Sequence, residues 1–100
     1  MALTRFGFLV TGNGFDPLRD VQTMKTAHFE MITIGCASAA DGPAAAQRLV
    51  AQGVQLIELC GGFGPVWAAR IIEAIGDAVP IGAVGYGPES IDRLHDLFNS

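Results

Sequence analysis

The run Val54-Gln55-Leu56-Ile57-Glu58-Leu59-Cys60-Gly61-Gly62-Phe63-Gly64-Pro65 decides the fold of this chain. Its first seven residues are apolar except for Gln55 and Glu58, which reads as a central strand buried on both faces. Gly61, Gly62 and Gly64 then stop the strand, and Pro65 suits the first turn of a helix. In open α/β sheets, ligands bind at such a strand-to-helix corner. The segment therefore names a place, and it carries one carboxylate, Glu58, and one thiol, Cys60.

Outward from this run the pattern repeats. Phe6 to Val10 is a short apolar strand stopped by Thr11-Gly12-Asn13-Gly14. Phe29 to Gly35 alternates, with Glu30 and Thr33 among Met31, Ile32 and Ile34; its polarity predicts an edge strand. Val79 to Val84 is a fourth strand. Between them lie helical stretches. Ser38 and Asp41 have capping-box spacing, and the helix through Ala46, Leu49 and Val50 ends at Gly53. A second helix starts at Gly64-Pro65 and closes at Gly76, and a third follows Pro88 with Ile91, Leu94, Leu97 and Phe98 as its stripe. Asp16-Pro17 resembles a helix start, so Pro17 to Lys25 reads as a short helix or a pair of turns, with Leu18, Val21 and Met24 at spacing three.

Strands alternating with helices predict a small α/β domain over residues 1–100, with four mainly parallel strands in the flavodoxin-like order 2-1-3-4. The alternative is a ferredoxin-like α+β sheet, in which residues 15–28 form a loop and the first two strands pair as a long hairpin. The order 2-1-3-4 also places Cys36 and Cys60 about 9–10 Å apart, two strand spacings, too far for a disulfide.

Composition narrows the function classes. Half of the 100 residues are hydrophobic and 16% are charged, below the roughly 25% of ordinary soluble domains. No apolar stretch reaches the ~18 residues of a membrane span. The net charge is −4, and Arg5, Arg19, Lys25, Arg48, Arg70 and Arg93 are scattered, which speaks against nucleic acid. Two cysteines and no signal-peptide layout predict free thiols and a cytoplasmic setting. The helix over residues 65–75 is apolar around a wide arc and predicts a homo-oligomer contact.

For this strand order the ligand rim is built from three glycine loops. Gly12, Asn13, Gly14 and Asp16 come from the first, Gly61, Gly62, Phe63 and Gly64 from the second, and Gly85 and Tyr86 from the third. Glycines admit close backbone approach and helix N-termini favour anions, so a small anionic ligand is the expectation. The same glycines also serve ordinary turns, and neither the dinucleotide nor the phosphate-loop fingerprint is complete. Phe63 and Tyr86 could stack on a flat ligand or close the mouth of the pocket.

Glu58 reads as a general base or ligand anchor if buried, or else as an ion-pair partner of Arg48 or Arg70 or a carboxylate at the strand end that reaches water. Alternation puts Cys60 on the same face, as a candidate nucleophile or as an inert core thiol. His28 and His95 read as surface residues, and no Cys/His/Asp cluster has metal-ligand spacing.

The string Gly53-Val54-Gln55-Leu56-Ile57-Glu58-Leu59-Cys60-Gly61-Gly62-Phe63-Gly64-Pro65 resembles a family of short bacterial proteins of unknown function. Phe15-Asp16-Pro17 and Val79-Pro80-Ile81-Gly82 resemble the same family. The resemblance implies membership and no activity or cofactor. Three readings stay open: a ligand-binding oligomer, an enzyme with Glu58 as acid/base and Cys60 assisting, and a structural homo-oligomer.

Overall fold

In β1, Arg5–Thr11, alternate residues Gly7 and Leu9 are buried while Phe6, Phe8 and Val10 are only half-buried. That period of two organises the whole sheet. In the computed structural model, which describes residues 2–99, β1 pairs in parallel with β3, Glu30–Cys36, and with β4, Leu56–Leu59. A short β5, Ile81–Ala83, pairs in parallel with β4. The expected 2-1-3-4 order of the parallel strands is present, so the ferredoxin-like alternative fails.

The sheet nevertheless has five strands and is mixed, in the order β2-β3-β1-β4-β5. The additional strand is β2, Val21–Lys25, antiparallel to β3. It replaces the helix expected over Pro17 to Lys25 and moves the Glu30-bearing strand from the edge to the interior. Asp16 does start a turn: its carboxylate accepts the Leu18 N–H at 2.9 Å, and its carbonyl accepts the N–H groups of Arg19 and Asp20. The helix goes no further because Val21 and Thr23 face the core-side residues Ile34 and Ile32 across the ladder. Thr26 Oγ1 closes the β2–β3 turn by accepting the N–H groups of His28 and Phe29.

Three α-helices complete the domain: α1 Gly42–Ala51, α2 Gly64–Ala74 and α3 Ile91–Phe98. The Asp41 carboxylate accepts the backbone N–H of Ala37 and Ser38 ahead of α1. Gly53 and Gly76 take φ of +84° and +58° just past α1 and α2, the left-handed geometry that ends a helix cheaply only at glycine.

The core lies between one sheet face and α1 and α2. Leu9, Ile32, Ile34, Ile57 and Leu59 meet Ala45, Ala46 and Leu49 of α1 and Ile71 of α2. At about 25 cal/mol per Å² of apolar surface, this layer supplies the main stabilising term. The opposite sheet face has no helix layer among the described residues. The main packing partner of α3 is the single turn before it, Pro88–Ser90, and no residue of α3 is buried. Sequence reading had β4 buried on both faces; it is buried on one.

Candidate functional site

That one-sided burial sets the position of Glu58. The row Thr33–Phe8–Glu58–Gly82 crosses β3, β1, β4 and β5 on the uncovered face. Glu58 is exposed there, and among the described residues it forms no hydrogen bond or ion pair. The expected arginine partners are engaged elsewhere. Arg48 donates to the Pro17 carbonyl at 2.6 Å, and the Arg70 guanidinium lies 4.5 Å from the centre of the Trp67 ring. The carboxylate therefore needs no buried counter-charge, because water solvates it.

The crevice expected from the sequence would lie beyond the carboxyl ends of the paired strands β1 and β4. Cys60 and Thr11 fill that point. The Thr11 N–H donates to Cys60 Sγ at 3.2 Å, and the Thr11 hydroxyl and the thiol share a hydrogen bond at 3.4 Å. A side chain at Gly62 would collide with Thr11 Oγ1. Cys36 and Cys60 are both free thiols, as expected with β1 between their strands. Cys36 is fully buried, and burial first, then the Asp41 charge, pushes its thiol up to about 11.

Two rim glycines serve packing. The Phe15 ring covers Gly12, and the Tyr86 ring covers Gly61. Gly14 and Gly64, with φ of +88° and +70°, meet nothing and serve turn geometry. Gly85 also faces open space, Asn13 is exposed, and Asp16 is occupied with its turn. Phe63 leaves the rim altogether. It is 3% exposed and packs over Gly42 in the core, so it presents no face to a ligand. Tyr86 is the rim aromatic that stays open, 55% exposed.

A hollow of about 140 Å³ lies instead on the uncovered face, at the carboxyl ends of β1 and β3. Val10, Phe15, Asp20, Gln22, Thr33 and Gly35 line it. Its floor and one wall are apolar. Asp20 is held by Arg19 at 2.8 Å and by the Asp16 N–H, and these hydrogen bonds, the arginine's first, lower its pKa and keep it ionised. The Gln22 amide and Thr33 hydroxyl have no hydrogen-bond partner among the described residues. They are the polar groups left for a ligand.

Sequence reading did not select these residues. One signal was present: Gly35 inside a strand marks a place where another group comes close, and that group is Phe15.

A wider surface groove of about 290 Å³ lies at the opposite end of the sheet, lined by Thr4, Arg5 and residues 25–30. There Glu30 bridges Arg5 at 2.7 Å and Lys25 at 3.6 Å. Both cations are well exposed, so these pairs contribute about 0–1 kcal/mol. His28 and His95 are exposed, and no group of three metal-ligating side chains forms among the described residues. No helix among them is long and apolar enough to cross a membrane.

The profile of a family of unknown function, DUF6506, matches residues 4–99. The chain belongs to that family. No curated protein and no solved structure matches it. Membership extends over both sheet faces, all three helices and the hollow, and it brings no activity with it.

Proposed function

We propose that this DUF6506 chain is a small-ligand-binding module whose ligand sits in the hollow at the carboxyl end of β1 and β3. The observation that carries the reading is the pairing of an apolar floor, Val10 and Phe15, with the unpartnered Gln22 amide and Thr33 hydroxyl. Concave sites with a few convergent polar groups are where small molecules bind. Gln22 offers both donors and an acceptor, and Thr33 offers one of each. A neutral molecule with a carboxamide or hydroxyl group and a flat apolar part satisfies all of them.

The glycine loops had suggested an anion. The charge balance of the hollow favours a neutral ligand, because Asp20 stays ionised at its edge and its arginine partner is already paired. A ligand could also reach Glu58, two strands from Thr33 and so about 9–10 Å away, by passing over Phe8. That geometry makes Glu58 an anchor for the far end of a longer ligand.

The test is ligand-observed NMR with benzamide and related small neutral amides. Binding by the native chain and loss of binding by Thr33→Phe, which fills the hollow from the strand, are expected. Equal binding by both proteins would remove the hollow from the account.

A further inference from the structure

Among the described residues, two apolar surfaces have no layer packed over them, and they match in kind. The first is α3, whose Ile91, Leu94 and Phe98 recur at helical spacing along one side; Ile91 and Phe98 are 58% and 72% exposed. Eight residues are too few for a helix to persist in water, where isolated helices shorter than about 12 residues are marginal. The second is the uncovered sheet face, with the apolar row Met24–Met31–Phe6–Leu56 beside Phe8. Mainly parallel sheets are ordinarily covered on both faces.

The total surface measures what is missing. The chain exposes 6357 Å². A compact monomer of 10.5 kDa would expose about 5,400 Å². The excess, about 900 Å², is close to the ~800 Å² that each partner buries in a standard dimer. The radius of gyration of 14.0 Å also exceeds the roughly 13 Å of a compact 100-residue domain.

We infer that a second copy of this chain is the missing layer: α3 of each protomer lies across the uncovered sheet face of the other. The exchange is self-complementary, since each chain carries one helix and one face, and it closes after two copies. It places the apolar stripe of α3 against the row headed by Met24 and leaves Asp92 and Asp96 outward. The outer side of α2, the contact expected from sequence, exposes the large apolar side chains Val66 and Ile72. The inference does not rest on the ligand reading.

Light scattering on the full chain at tens of micromolar, without ligand, is the experiment. The native protein should run at twice 10.5 kDa. Ile91→Asp/Phe98→Asp, which alters only exposed positions, should run as a monomer that still unfolds cooperatively and loses at most the circular dichroism signal of α3. Met24→Asp/Phe8→Thr should weaken dimerisation at least about tenfold, the effect of a carboxylate forced into an apolar contact. A native monomer overturns the inference. So does a dimer that survives the helix variant, which would point to α2. If the face variant fails to fold, the helix variant decides alone.

Discussion

The Phe15 ring stands where a side chain on Gly35 would be: a Cβ there would lie 2.7 Å from Phe15 Cγ. The contact joins the first loop to the carboxyl end of β3 and forms one wall of the hollow. Replacing Gly35 by alanine strikes the base of the ring rather than a flexible tip, so the whole side chain must move. Gly35→Ala should cost about 1–3 kcal/mol, the range for overpacking. In Phe15→Ala/Gly35→Ala the clash is gone, and urea denaturation should show the double variant losing less than the two single losses combined. Strict additivity would mean that the ring does not hold this position.

Two other glycines should separate core from rim. At Gly7 an added Cβ would lie 2.8 Å from Leu49 Cδ1 and 3.4 Å from Ile57 Cγ1, both side chains fully buried. Gly7→Ala should also cost about 1–3 kcal/mol. At Gly61 the obstacle is the Tyr86 ring, which is more than half exposed and can swing into solvent. Gly61→Ala should stay within about 0.5 kcal/mol of native, as surface changes do. Thermal unfolding of the two variants compares them directly.

Cys36 predicts a pH dependence. The folded protein keeps its thiol protonated until about pH 11, against a reference value of 9.0. Between those values the unfolded chain has released the proton and the folded chain has not. Rising pH therefore draws the equilibrium toward the unfolded state, and stability falls from about pH 9 to 11. Below pH 9 this thiol contributes no slope. Denaturation midpoints from pH 7 upward should show the decline, and Cys36→Ala should flatten it. In alkylation of the folded protein, the half-buried Cys60 should react before the buried Cys36.

Much of the fold was legible in the sequence because burial wrote it there. Val54 to Cys60, Phe6 to Val10 and Val79 to Val84 carry apolar runs ended by glycine, and their parallel order follows from helices between them. The segment Pro17 to Lys25 was not legible, because Leu18, Val21 and Met24 fit a helical period while Val21 and Thr23 also fit a strand facing the core. Nine residues do not separate the two periods; pairing with β3 decides. Glu58 was located at the correct strand, with the choice between burial and contact with water left open; water is the outcome. Its burial depended on whether a layer covers the second face, which is a tertiary property. Phe63 failed for the same reason, since an aromatic in a glycine loop reads alike whether it turns out to the rim or in against Gly42.

The hollow is the central claim, and amide chemical-shift mapping with benzamide tests it most directly. On titration, the largest ¹⁵N–¹H shifts should fall on Val10, Gln22, Thr33 and Gly35, with Phe15 following. Shifts gathered instead on Gly61 to Gly64 and Gly85, or on the groove from Lys25 to Glu30, would contradict it.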